Sequence, residues 1–239
     1  IDPDYTHVSS FHKYGVMLAG WCIMLNFTND KFALFGLHLH EKGWFLGLLF
    51  VFILPVIELL FSKDIYLKNI GYSAVGLLYL SLSLGLMVDL RCRFMFRYDH
   101  GSFDVGLLYP LLIIASIWIN DTMAYIVGSL IGKTKLSEIS PKKTWEGTIG
   151  GVILAIGVVA LINGFMTDFK SGSVIHWMII AAIASITGTF GDLLESKLKR
   201  AANVKDSGHI MPGHGGFLDR FDSLLVATPF CWIYIVLMP

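Results

Sequence analysis

Six stretches of this chain contain no Asp, Glu, Lys or Arg: residues 14–28, 69–88, 105–120, 147–167, 171–191 and 223–239. A seventh, 43–61, contains only Glu58, close to its end. A helix that crosses a bilayer needs about 20 mostly apolar residues, and these runs reach that length once their flanks are added. They recur to the last residue, whereas a secretory leader would be near-terminal and followed by a soluble domain. A spanning segment must satisfy its own backbone hydrogen bonds, which makes helices the default. A β-barrel would show repeated strict alternation of apolar and polar residues, and none is seen. The pattern therefore predicts an all-α, polytopic transmembrane helical protein with seven or eight membrane segments. They fall near 14–28, 43–61, 69–89, 104–132, 147–166, 174–196 and 217–238. The fourth is either one long helix or two short ones broken near Asn120-Asp121. The chain begins at Ile1, and some N-terminal sequence is expected to precede it.

Composition removes the other classes. Of the 239 residues, 55% are hydrophobic and 15% charged, with 18 basic and 18 acidic side chains cancelling. A soluble globule with so few charges and no net charge would be poorly soluble. Intrinsic disorder is excluded by the hydrophobic content, and mean hydropathy is +0.67. There is no basic surplus to neutralise phosphates along a nucleic acid, so nucleic acid is not an expected partner. Cys22, Cys92 and Cys231 lie far apart and make neither a disulfide framework nor a metal spacing.

Lys133, Lys135, Lys142 and Lys143 crowd one polar joint, and Lys197, Lys199, Arg200 and Lys205 crowd another. Two spans separate these joints, so both face one side, which the positive-inside rule makes the cytoplasm. A third basic joint holds Arg91, Arg93 and Arg97. It shares that side only if 104–132 crosses twice or not at all. Trp44, Trp145 and Trp177 sit at expected span ends, where an interfacial belt belongs.

The informative charges lie between Asp192 and Asp222, a stretch of 31 residues with five acidic and five basic side chains. Asp192, Glu195, Ser196 and Lys199 follow i, i+3, i+4, i+7 spacing and share one helix face. Residues 206–216 read as a loop, given their glycines and Pro212. Asp219 and Asp222, three apart at the start of the last helix, point the same way. Like charges this close repel unless a cation lies between them, and hard carboxylate oxygens suit Mg²⁺. Asp192 can close the same site; the plainer alternative is ordinary interfacial charge at helix ends. Gly213, Gly215 and Gly216 with His214 precede a helix N-terminus, where backbone N–H groups and the dipole favour a phosphate. A tight turn would use the same glycines. Ser140-Pro141 reads as a helix start. Lys142 and Lys143 beside it suit a triphosphate or an anionic head group, or simply mark the cytoplasmic face. Asp121 lies in an apolar stretch and is expected to line a polar cavity. Glu58 and Asp89 read as interfacial.

Three motifs in these regions resemble one family. Ser196-x-Leu198-Lys199-Arg200, then Lys205-Asp206-x-Gly208, then Pro212-x-His214-Gly215-Gly216-Phe217-x-Asp219-Arg220-Phe221-Asp222 resembles the signature of phosphatidate cytidylyltransferases, the CDP-diacylglycerol synthases. Met211 stands where that family more often has Leu, Ile or Phe. Ser140–Gly147 and Asn120-Asp121-x-x-Ala124-Tyr125-x-x-Gly128 are similar to family motifs in the expected order. The resemblance covers residues 104–239 and divides the chain into N-terminal transmembrane helices, 1–103, and a catalytic transmembrane region, 104–239. The first hundred residues match only as apolar spans.

The resemblance implies a nucleotidyl transfer of phospholipid biosynthesis: CTP plus phosphatidic acid gives CDP-diacylglycerol plus pyrophosphate. It implies a two-cation centre, Mg²⁺ with a second ion such as K⁺, at Asp192, Asp219 and Asp222. Lys199 and Arg200 are the implied catalytic cations. Lys142, Lys143, Lys205, His214, Gly215, Gly216, Arg220 and Asp121 are the implied substrate-binding residues, not yet divided between nucleotide and lipid. On a helix Arg220 points away from Asp219 and Asp222, and holding the loop is its alternative role. A homodimer embedded in membrane lipid, with the site facing the cytoplasm of a bacterial plasma membrane, is also implied. The alternatives are a related CTP-dependent lipid enzyme, either a polyprenol kinase or a CDP-archaeol-type synthase, and an ion-coupled transporter. The full Asp-Arg-x-Asp signature argues against the kinase. A transporter would spread ionisable residues through the bilayer depth rather than cluster them at one level.

Overall fold

The computed structural model describes residues 10–61, 67–95, 98–99, 103–167, 171–204, 207–208 and 216–238. Seven helices run through them. They are α1 (Ser10–Asn26), α2 (Leu39–Phe61), α3 (residues 67–93), α4 (Val105–Ile131), α5 (Trp145–Thr167), α6 (Ser171–Ala201) and α7 (Leu218–Leu237). Two two-stranded antiparallel hairpins interrupt the series, β1 (Ala33–Leu34) with β2 (Leu37–His38), and β3 (Tyr98–Asp99) with β4 (Phe103–Asp104). Among the described residues five segments are long and apolar enough to cross a membrane: Ile70–Arg93, Val105–Ile131, Trp145–Met166, Val174–Ala201 and Leu218–Leu237. The protein is thus an all-α polytopic membrane protein, as the charge-free runs predict. The open choice over 104–132 resolves to one helix of 27 residues that carries Pro110 in its second turn.

The helices group into two compact units, Ile1–Leu107 and Leu108–Pro239. In the first, α1 packs on α2 and on α3. The middle of α3 widens into a π-helical turn over Leu77–Leu82. Asp89 is 2% exposed. Arg93 reaches it one turn later at 2.9 Å, and the Asn29 amide donates to it at 3.0 Å. The interfacial reading of Asp89 is therefore corrected: the carboxylate is buried and joins α3 to the segment after α1. Glu58's side chain lies outside the described residues. Asp104 caps α4 by accepting from the Gly106 N–H at 3.0 Å, and its other oxygen accepts from Arg91 at 2.7 Å.

In the second unit α6 packs between α5 and α7. The core runs through Ile113, Val159, Ile180, Ala184 and Leu225. Trp177 is only 8% exposed and belongs to this core. That corrects its place in an interfacial belt, whereas Trp44 and Trp145 are about half exposed. Glycine governs how closely the helices approach. A Cβ at Gly151 of α5 would lie 2.9 Å from the Asn120 carbonyl oxygen of α4. A Cβ at Gly191 of α6 would lie 2.7 Å from the Asp222 carbonyl oxygen of α7. At 1.5 Å per residue, the 31 residues of α6 span about 46 Å, longer than the roughly 30 Å hydrocarbon core. Its final turns, residues 192–201, therefore carry their charges toward one membrane face. The start of α7, the end of α4 and the start of α5 lie at that same end of the unit.

Gly191→Val should force α6 from α7 by filling a contact that has no room for a methyl group. The expected loss is about 1–3 kcal/mol, the usual cost of overpacking. Thermal unfolding in detergent should show a lowered midpoint, while Gly157→Ala on α5, which meets nothing within 4 Å, should hold or slightly raise it.

Candidate active site

The α6–α7 crossing at Gly191 sets Asp192 beside Asp222. One carboxylate oxygen each from Asp192, Glu195 and Asp222 lies within 4.8 Å of the others. Asp192 and Glu195 are three apart on α6, so helical spacing puts both toward α7. Glu195 is 1% exposed, and its Oε1 is buried without a hydrogen-bond partner. The Asp222 Oδ1 accepts from the Ser223 N–H at 2.6 Å. Three hard oxygen donors around a buried, unpartnered carboxylate oxygen form a donor set that suits a divalent cation.

Asp219 is not one of these three. Its Oδ1 accepts from the Lys199 ammonium at 2.6 Å. Its Oδ2 accepts from the Ser207 N–H at 2.9 Å, the Ser207 hydroxyl at 2.8 Å and the Gly216 N–H at 2.7 Å. Helical spacing alone aims Asp219 and Asp222 the same way, but these donors turn the Asp219 carboxylate toward the loop. Gly216 makes the arrangement possible, since a Cβ there would collide with the Ser207 hydroxyl and lie 2.5 Å from the Gly208 nitrogen. Lys199 also donates to Glu195 at 3.0 Å, one turn back on α6. Lys199 thus ties the α6 carboxylate face to the first turn of α7.

A second cation comes from the segment between α4 and α5. Lys143 forms an ion pair with Asp192. The segment folds back on itself: the Leu136 N–H donates to the Lys143 carbonyl at 2.8 Å, and the Trp145 N–H to the Thr134 carbonyl at 2.9 Å. Glu146 secures it by accepting from the N–H groups of Lys133 and Thr134 at 3.1–3.2 Å. The cap of α5 is Thr144, whose hydroxyl accepts from the Gly147 N–H at 3.1 Å. The helix start expected at Ser140-Pro141 is corrected accordingly. Those residues form a turn instead, closed by the Lys143 N–H to the Ser140 carbonyl at 3.1 Å.

Lys142, Lys143, Asp192 and Asp121 line a cavity of about 520 Å³ that also takes in Tyr125 and Ser140. The Asn120–Gly128 and Ser140–Gly147 motifs therefore meet at this cavity, and Asp192 on its wall neighbours Asp222 of the third. Asn120 is buried behind it and donates to the Thr189 hydroxyl at 3.3 Å. Asp121 also borders a second cavity, of about 730 Å³, together with Asp219, Arg220 and Asp222. Arg200 is exposed near the end of α6. Lys205, His214 and Gly215 lie outside the described residues. Glu195 belongs to the acidic cluster although the family motifs do not single it out. Its signal was its i+3 spacing from Asp192, on a face otherwise read only as shared.

The cytidylyltransferase family profile matches residues 5–238. The phosphatidate cytidylyltransferase of Bacillus subtilis (strain 168) is 34% identical over 222 residues, covering 92% of this chain and 77% of that protein. The chain belongs to the cytidylyltransferase family. Other members are similar over the part that holds the motifs. The phosphatidate cytidylyltransferase of Staphylococcus haemolyticus is 44% identical over 144 residues, 60% of this chain and 55% of that protein. That of Synechocystis sp. is 41% identical over 141 residues, 57% of this chain and 46% of that protein. These two alignments span about half the length of the relatives concerned. As a family member the chain is a nucleotidyltransferase, built on helices that suit an integral membrane protein.

Lys199→Ala should remove the partner of a nearly fully buried Glu195. Breaking a buried ion pair from one side costs about 3–5 kcal/mol. The unfolding midpoint in detergent should fall sharply, and Lys199→Arg should recover part of the loss. An unchanged midpoint for Lys199→Ala would show that the Glu195 charge is compensated elsewhere.

Proposed function

We propose that this chain is a phosphatidate cytidylyltransferase whose centre is the Asp192, Glu195 and Asp222 cluster. It converts CTP and phosphatidic acid to CDP-diacylglycerol and pyrophosphate in phospholipid synthesis. The observation that carries the reading is the approach of the three carboxylates within 4.8 Å, flanked by Lys143 on Asp192 and Lys199 on Glu195. Substrates with two anionic phosphate groups need cations and ordered counter-charge at one point, and family membership supplies the reaction class.

The lipid phosphate is an anion at neutral pH, so attack on the α-phosphorus of CTP needs no strong general base. A lipid phosphate oxygen forms the new bond, the bond from the α-phosphorus to the bridging oxygen breaks, and its electron pair leaves with pyrophosphate. Positioning and charge neutralisation are then the main demands on the protein. Asp192, Glu195 and Asp222 would hold a divalent cation such as Mg²⁺, which would supply neutralisation of the triphosphate and leaving-group charge. A second cation such as K⁺ belongs to the same acidic region. Lys142 and Lys143 orient the triphosphate from the α4–α5 segment. Asp219, counted by motif among the metal ligands, keeps Lys199 and the Ser207–Gly216 backbone in place beside them. Arg200, Lys205, His214, Gly215, Gly216 and Arg220 complete the phosphate contacts on the strength of the motif.

Residues 1–103 serve as membrane helices and 104–239 as the catalytic region. The basic joints at 133–143 and 197–205 support a site at the cytoplasmic face, and the bacterial relatives support a bacterial plasma membrane. The protein works as a homodimer.

The test supplies purified protein with labelled CTP, phosphatidic acid and Mg²⁺. The expected products are a CDP-lipid and pyrophosphate; CDP with a phosphorylated alcohol would instead identify a lipid kinase. Asp222→Asn should lower kcat by about 100-fold or more, the scale of losing one preorganised electrostatic group. Full activity in that variant would overturn the assignment of the centre.

A further inference from the structure

The cavity of about 730 Å³ has a polar end and an apolar end. Asp121, Asp219, Arg220 and Asp222 border the first. Leu111, Ile114, Ala115 and Trp118 of α4 line the second, opposite Leu224 of α7. The two ends are ordered along the membrane normal. From Asp121 to Leu111 the chain runs away from the charged end of α4, and from Asp222 to Leu224 it runs the same way into α7. From Leu111 to Trp118 the helix makes about 10 Å of apolar track. Both walls are candidate membrane spans, and Leu111 and Trp118 are 53% and 69% exposed on the outside of the unit. The volume falls within the roughly 300–1,000 Å³ of small-molecule sites.

An anionic head held at Arg220, with a cation between it and the carboxylates and a hydrocarbon tail along the apolar wall, matches the order of polar and apolar lining in this cleft. The other cavity bordered by Asp121 differs: it carries Lys142, Lys143 and Asp192 and suits a soluble polyanion. We infer that the two cavities divide the substrates. The nucleotide triphosphate enters beside Lys142 and Lys143, and one acyl chain of the phosphatidate lies along Leu111, Ile114, Ala115 and Trp118. This deepens the proposed reaction and rests on it. Bilayer lipid is as apolar as the cleft, so the track gains little affinity from burying the chain. Its role is alignment: it fixes the depth at which the lipid phosphate meets the acidic centre. Ala115 is the narrowest side chain along it and so a specificity-determining residue.

The experiment compares the full chain with Ala115→Phe in CDP-lipid formation, using dioleoyl and dihexanoyl phosphatidate at saturating CTP. Filling the track should raise KM for the dioleoyl lipid by about tenfold, the scale of a steric misfit in an apolar pocket, and change KM for the dihexanoyl lipid by less than about twofold. KM for CTP should not move. Equal effects on both lipids, or none on either, overturn the track. A second measurement needs neither the variant nor turnover. A phosphatidate with a diazirine near the end of its acyl chain, photolysed on the unsubstituted protein, should label residues 111–118, and excess unlabelled phosphatidate should suppress it. Label confined to other segments overturns the track. Failure of the unsubstituted protein to form any CDP-lipid would instead overturn the proposed reaction, and the labelling pattern would still decide where the lipid lies.

Discussion

Three carboxylates gathered inside a bundle of membrane helices set the terms for everything around them. Asp192, Glu195 and Asp222 repel one another, and Glu195 is 1% exposed. In a medium of low dielectric such a cluster persists only if positive charge compensates it or a carboxyl takes up a proton. Lys199 and Lys143 supply part of it from two different segments. A bound cation would supply the rest. The arrangement leaves an electrostatic demand that further positive charge can meet.

Close helix packing makes the cluster possible. Gly191 lets α7 pass near enough for Asp222 to reach the Asp192–Glu195 face, and Gly151 draws α5 onto α4. The same economy appears at Gly216, where the loop presses close enough for two backbone N–H groups to meet Asp219. A network that uses Asp219 to hold Lys199 and the loop leaves Asp222 for the centre. Two aspartates three residues apart thus take different roles, because one meets hydrogen-bond donors and the other meets carboxylates.

The placement of the polar residues also explains the architecture. α6 is longer than the hydrocarbon core, so its last turns carry Asp192, Glu195, Lys199 and Arg200 toward the membrane face while residues 171–191 hold no Asp, Glu, Lys or Arg. The Lys142–Lys143 turn folds back to the same level through the Glu146 and Thr144 contacts. A water-soluble nucleotide and a lipid can both reach such a level, one from the aqueous side and one from the bilayer.

Much of this was legible in the residues. Charge-free runs of helical span length dictate a membrane-embedded helical chain, because a helix satisfies its backbone hydrogen bonds within the segment and the alternation that a barrel needs is missing. The motifs named a family and a reaction class, and the i, i+3 spacing put Asp192 and Glu195 on one face. Sequence spacing is a local quantity, however, and it reports nothing of what crosses from another helix. Asp89 looked interfacial and is buried against Arg93 and Asn29; Ser140 looked like a cap and Thr144 is the cap; Trp177 looked like a belt residue and is core. The membership of the acidic cluster, the diversion of Asp219 to Lys199, and the pairing of Lys143 with Asp192 were decided by tertiary structure alone. They depend on which helices approach closely enough to share a charge.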